Sequence, residues 1–179
     1  MQLDPFFSDA VLIKPRILRD ERGYFTEVYR ADLLQELGPF VQENESFSNY
    51  GVIRGLHFQS PPYVQAKLVR VVEGEIYDVI VDLRRSSPFF GQHAGVILSA
   101  DNHQQLFVPA GFAHGFSVLS PTAKVIYKCS HVYRSEADAG IFYADPSLGI
   151  DWKIPEKARI LSEKDRTAPH LDYEKTYFP

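Results

Sequence analysis

The chain has 179 residues, 45% hydrophobic and 23% charged, the profile of one globular domain able to bury a sizeable core. Its net charge of −4, without any lysine or arginine block, argues against nucleic-acid binding, and no run approaches the ~20 apolar residues of a membrane span. The single cysteine, Cys129, excludes an internal disulfide framework and fits a reducing, cytoplasmic setting, and Asp4, Asp9 and Lys14 interrupt any signal-like apolar run at the N-terminus.

In chain order, VLIKPRIL and GYFTEVY read as strands, and ADLLQELG reads as a short helix ending at Gly38-Pro39. VIRGLHFQ is the next strand. KLVRVVEGEIYDVIVDLR is the clearest strand signal, two β-branched runs that predict a hairpin about Glu73-Gly74. HAGVILS, QLFVPA, HGFSVLS and KVIYKCSHVY follow at short spacing, punctuated by Pro, Gly, Asn and Ser. A second short helix is expected near Ser162, where Ser162-x-x-Asp165 offers a cap. The pattern predicts a single all-β domain, residues 1–179, closed as a barrel or sandwich with a few short helices.

Four segments carry groups able to do chemistry. In RGLHFQ, His57 is a candidate base because its reference pKa of ~6.5 lies near neutrality; a core or metal-ligating histidine is the bland alternative. Arg54 and His57 lie an odd number of positions apart, so a regular strand points them to opposite faces; a shared site requires a bulge at Gly55. In PAGFAHGF, the spacing of Pro109, Gly111 and His114 resembles the second signature of the cupin barrels. The first cupin signature is represented only by His57-Phe58-Gln59, and one histidine with a glutamine does not make a transition-metal ligand set.

Strand alternation in KVIYKCSHVY places Tyr127 and Tyr133 on one face, roughly 20 Å apart, about the length of an extended nucleotide sugar. They read equally as barrel-lining aromatics. Lys67 opens a strand whose alternate residues Val69 and Val71 are apolar, so its ammonium is expected inside, where a developing enolate would be a suitable partner. Otherwise it is a solvated strand-end lysine. Asp165 is either a helix cap or the acid that orients His57.

Taken in order, DERGYF, QENxS, IRGLHFQ, QAKLVRVVEGEIYDVIVDLRRSSPFFG, PAGFAHGF, DPxLGIDW and LSEKD resemble the dTDP-4-dehydrorhamnose 3,5-epimerase family over nearly the whole chain. The resemblance implies a cupin-type jelly-roll core over about residues 40–135, with N-terminal strands and C-terminal short helices around it. It implies a homodimer, a dTDP-sugar substrate, and no metal or other cofactor. It further implies His57 as base, Asp165 as its dyad partner, Lys67 as enolate stabiliser and Tyr127 as acid on the opposite face. Gln42, Asn44, Arg54 and His114 match substrate-lining positions; Arg22 and Glu27 match an early strand segment that helps form the site, in part across the dimer interface. Tyr133 matches a thymine-stacking aromatic, and Lys164 a residue near the nucleotide. Asp138 stands where the family commonly has Glu, Glu43 where it often has Asp, and Ala66 where it often has Gly. An epimerase acting at carbon 3 or carbon 5 alone, a sugar-binding cupin without chemistry, and a metal-dependent cupin remain the competing readings.

Overall fold

Residues rich in Val, Ile and Phe with period-two alternation leave one strand face apolar, and two such faces bury each other most economically as packed sheets. The computed structural model describes residues 1–179. In chain order the strands are β1 (Gln2–Phe7), β2 (Ala10–Lys14), β3 (Ile17–Asp20), β4 (Gly23–Thr26), β5 (Gln42–Asn49), β6 (Ile53–Gln59) and β7 (Lys67–Glu73). They continue as β8 (Glu75–Asp82), β9 (His93–Ser99), β10 (Gln105–Val108), β11 (Phe112–Val118), β12 (Thr122–Cys129) and β13 (Asp138–Gly140). One sheet runs β1-β2-β10-β7-β12-β5, the other β13-β6-β11-β8-β9, and β3-β4 is a separate hairpin. This is a jelly-roll arrangement. No ladder joins the two large sheets, so the expected closed barrel is a sandwich with free edges.

Between the sheets, Val69, Val71 and Val125 of the first meet Ile76, Ile80 and Val118 of the second, each at most 5% exposed. Burying a side chain of this size contributes about 1.5–3 kcal/mol. The outer face of the five-stranded sheet is covered by the C-terminal region, which brings Ile141, Leu148, Trp152 and Phe178 onto Leu56, Val79 and Val81. That cover matters to the site because it carries Asp165. No helix of the chain is long and apolar enough to cross a membrane.

Several expectations change. The Glu73-Gly74 turn is not a hairpin: β7 pairs with β10 and β12, whereas β8 pairs with β11 and β9. Gly74, at φ +76°, lets the chain cross from one sheet to the other, and a Cβ there would lie 2.0 Å from the Thr122 carbonyl oxygen. The helix expected over ADLLQELG reduces to a 3-10 turn, Gln35–Leu37. A segment that short does not recover the cost of helix nucleation, and it is held instead by Leu34, buried against Ile13, Leu68 and Phe107. VLIKPRIL breaks at Pro15 into β2 and β3. The helix α1 (Glu163–Arg166) forms where expected, with Ser162 as its N-cap.

Candidate active site

The bulge required at Gly55 is present. His114 of β11 pairs with His57 and Phe116 with Arg54, so two steps on β11 oppose three on β6. The extra residue turns Arg54 and His57 toward the same cavity. Gly55 adopts φ +125°, and a Cβ there would sit 2.5 Å from the Gly115 Cα, so a side chain does not fit.

Two contiguous chambers share His57, Lys67 and Tyr127. The outer one, about 180 Å³, adds Gln42, Asn44, Tyr133, Asp138 and Lys164 to its walls. The inner one, about 120 Å³, adds Ser46, Arg54, His114 and Phe116. His57 comes from the five-stranded sheet, Lys67 and Tyr127 from the six-stranded sheet. The catalytic candidates therefore reach the cavity from opposite walls.

His57 Nε2 lies 2.5 Å from Asp165 Oδ1. Asp165 is 4% exposed. Burial alone would raise its carboxyl, but the hydrogen-bonded His57 ring and Ser162 hydroxyl, helped by the Gly55 amide, outweigh this and hold it below the usual aspartate value. An ionised carboxylate only accepts, so Nε2 carries a proton, and in the neutral imidazole the lone pair is then on Nδ1. Ser162 is the cap, accepting from the Asp165 amide at 3.1 Å, while the Asp165 carboxylate lies against His57.

Desolvation pushes the Lys67 ammonium below the ordinary lysine range, against the opposing pull of Cys129, Asp78 and Asp138. The ion-paired lysines are Lys14, Lys124, Lys128, Lys153 and Lys164, which leaves Lys67 free to meet a ligand oxygen. Burial pushes the Tyr127 phenol up, so it keeps its proton at neutral pH, with Arg54 and the Asn44 side chain pulling the other way. His114 is buried and its Nε2 lies 2.9 Å from Asp78, itself fully buried.

Tyr133 lies beyond the end of β12, so strand alternation does not place it in line with Tyr127 as expected. It reaches the outer chamber through a loop clamped by three glutamines. Gln42 accepts from the Tyr133 amide at 2.8 Å, Gln59 accepts from the Arg134 amide at 2.6 Å, and Gln65 donates to the His131 carbonyl at 2.7 Å. Gln59, the residue that breaks the metal signature, is thus committed to the loop. No three His, Cys, Asp or Glu side chains gather in a metal-binding arrangement.

Asp138, one methylene shorter than its common counterpart, lines the outer chamber and is met by the Tyr133 hydroxyl at 3.1 Å and by Lys164. Glu43 points away from the cavity and pairs with Lys128. Arg22 and Glu27 line neither chamber: Arg22, with its side chain 85% exposed, pairs with Asp20 at the hairpin tip, and Glu27 lies 3.7 Å from Arg30.

Sequence reasoning missed Ser46 and Phe116. Both had a signal, because Ser46 continues the alternation of Gln42 and Asn44, and Phe116 stands two residues beyond His114. Ser46 Oγ is the one buried side-chain polar atom without a hydrogen-bond partner.

Fold and site together define a jelly-roll enzyme with acid–base groups facing one another across a two-chambered cleft. The family model described as dTDP-4-dehydrorhamnose 3,5-epimerase matches residues 6–173. A dTDP-4-dehydrorhamnose 3,5-epimerase of Methanothermobacter thermautotrophicus is 50% identical over 161 residues, covering 88% of this chain and 86% of that protein. The crystal structure of the Elizabethkingia anophelis enzyme of the same name superposes with a TM-score of 0.93 at 49% identity, covering 99% of both chains. The Legionella pneumophila dTDP-6-deoxy-D-glucose-3,5-epimerase, solved in complex with dTDP-4-keto-L-rhamnose, gives 0.91 at 46% identity, covering 97% of this chain and 95% of that one. The chain belongs to the dTDP-4-dehydrorhamnose 3,5-epimerase family.

Proposed function

We propose that the chain converts dTDP-4-dehydro-6-deoxy-D-glucose to dTDP-4-dehydro-L-rhamnose, inverting the carbons on both sides of the keto group, as a step toward dTDP-L-rhamnose. The observation that carries the mechanism is that His57 lines the cavity from one sheet while Lys67 and Tyr127 line it from the other. The 4-keto group acidifies the protons at carbons 3 and 5. His57 Nδ1 takes one of them, and the C–H electrons pass into the carbonyl as an enolate. Lys67 meets the charge growing on oxygen, and Tyr127 returns a proton from the opposite face. A single group returning its own proton would restore the starting configuration, so inversion needs this two-sided arrangement.

The outer chamber takes the nucleotide, with Tyr133 stacking on thymine and Lys164 beside the nucleotide. The inner chamber takes the sugar, whose hydroxyls meet Arg54, His114 and the unpartnered Ser46. The working unit in this reading is a cytoplasmic homodimer. Leu18, Tyr24 and Phe25 leave the β3-β4 hairpin with exposed apolar surface, Phe25 being 69% exposed, which a second protomer would cover. Turnover in deuterated water tests the reaction. Deuterium is expected at both carbon 3 and carbon 5; incorporation at one carbon alone would establish a single-site epimerase, and none would overturn the mechanism.

A further inference from the structure

Ser162 sits one residue before α1 and touches neither chamber, yet its hydroxyl is committed twice. It donates to Asp165 Oδ2 at 2.7 Å and accepts from the Asp165 amide at 3.1 Å. With one lone pair held by that amide, the hydroxyl proton is directed at the carboxylate. The Gly55 amide, at the bulge on β6, also favours the charged form of this carboxylate. Oδ1 is then left to His57 Nε2, 2.5 Å away. We propose that Ser162 is a positioning residue for the reaction: its hydroxyl locks the rotation of Asp165 so that Oδ1 stays aimed at His57 and the imidazole keeps Nδ1 as its basic nitrogen.

The physical case rests on how little else holds Asp165. The helix α1 is four residues long, and its backbone bonds include Arg166 N–H to the Ser162 carbonyl and Thr167 N–H to the Glu163 carbonyl. A single turn has almost no stability of its own. Position 162 is exposed while Asp165 is buried, so without the serine hydroxyl water can reach Oδ2 and the Asp165 amide but holds neither in a fixed direction, and a rotation of the carboxylate would let both oxygens compete for His57. A carboxylate stripped of one donor is also a stronger base, so the His57–Asp165 pair would take up a proton at higher pH.

Other charges around the pair stay constant between the variants below. On the His57 side the outer chamber presents Lys67, Tyr127, Cys129, Tyr133, Asp138 and Lys164. The inner chamber adds Arg54 and His114. On the Asp165 side its own helix adds Glu163, Lys164 and Arg166, with Glu163 and Arg166 exposed.

This inference rests on the assignment of His57 as the base. The test compares Ser162→Ala, Ser162→Thr and Ser162→Gly with the unsubstituted enzyme, measuring kcat, KM, the acid limb of the kcat profile, and thermal stability. Ser162→Ala is expected to lower kcat about 10–100-fold, the range for a lost hydrogen bond to a charged group. KM should change little, and the acid limb should move to higher pH. Ser162→Thr keeps the hydroxyl and should restore both. Ser162→Gly removes the hydroxyl, adds no charge and is still a tolerated N-cap residue, so it should nearly retain the melting temperature and still lose kcat. A folded Ser162→Gly or Ser162→Ala enzyme with unchanged kcat and acid limb would overturn the proposal. Including His57→Asn separates the two ideas. If that variant turns over normally, the assignment of the base fails; if it is inactive while the Ser162 variants are unaffected, only the role of Ser162 fails.

Discussion

His57 and Tyr127 line one cavity from opposite sheets, His57 on β6 beside β11 and Tyr127 on β12 between β7 and β5. In the proposed mechanism a sugar ring between them would present one face to the imidazole and the other to the phenol. This relationship separates abstraction from reprotonation and allows them to be tested apart.

Removing the base should stop both. His57→Asn is expected to lower kcat by about 10²–10⁴-fold, the usual contribution of a general base. It should also abolish deuterium uptake from solvent at both carbons, read by proton NMR of the sugar. Epimerisation at the normal rate would overturn the assignment.

Removing the acid should stop only inversion. Tyr127→Phe leaves the wall shape almost unchanged, and His57 can still take and return protons on its own face. Deuterium exchange is expected to continue while formation of the L-sugar falls about 10²-fold or more. Loss of exchange together with inversion would assign Tyr127 an earlier role.

Lys67 makes opposite predictions for activity and stability. Burial depresses its folded value, so the charged lysine opposes folding at neutral pH, and that opposition fades as pH rises through the folded value toward the ordinary ~10.4. Lys67→Met should therefore raise the denaturant midpoint at pH 7, with the gain shrinking toward pH 10. Its kcat should fall about 10²–10³-fold, as for loss of one oxyanion donor. A less stable Lys67→Met protein at pH 7 would show that the ammonium is well paired.

Asp165 should tie stability to pH in the acid range. Its carboxyl is held below the ordinary aspartate value, so its contribution is fully present above ~3.9 and is lost as pH falls through the folded value. Asp165→Asn should be less stable than the unsubstituted protein at pH 7, with the difference closing on acidification below about pH 4. By disturbing the imidazole tautomer it should lower kcat by up to about 10⁴-fold. Equal stability at pH 7 would remove the carboxylate from the list of folding determinants.

Gly55 is a backbone test of the same site. Gly55→Ala places a methyl group against the Gly115 backbone at a positive φ, a conflict worth roughly 1–3 kcal/mol. A lower melting temperature with loss of activity is expected. A stable, active Gly55→Ala enzyme would mean that the bulge does not set the aim of His57 and Arg54.

Local order along the chain was enough for most strands, for the cap at Ser162, and for the bulge at Gly55, because alternation and glycine punctuation act over a few residues. It was not enough for β5. That strand turns Gln42, Asn44, Ser46 and Ser48 inward and Glu43, Glu45 and Phe47 outward, the reverse of the usual apolar-in pattern, because its inner face lines a polar cavity. Nor could it tell a hairpin from a crossover at Gly74, since both need the same positive φ and differ only in which strands pair afterwards. The ordered motifs, taken as a family resemblance, named His57, Lys67, Tyr127 and Asp165 as a set. Only the tertiary structure put His57 and Asp165, 108 residues apart, within 2.5 Å, set Lys67 and Tyr127 on the facing sheet, and left Arg22 and Glu27 outside the cavity. The reason is physical: the kind of group a position can offer is a property of one residue, whereas the field and geometry that make it a base or an acid come from distant segments that pack beside it.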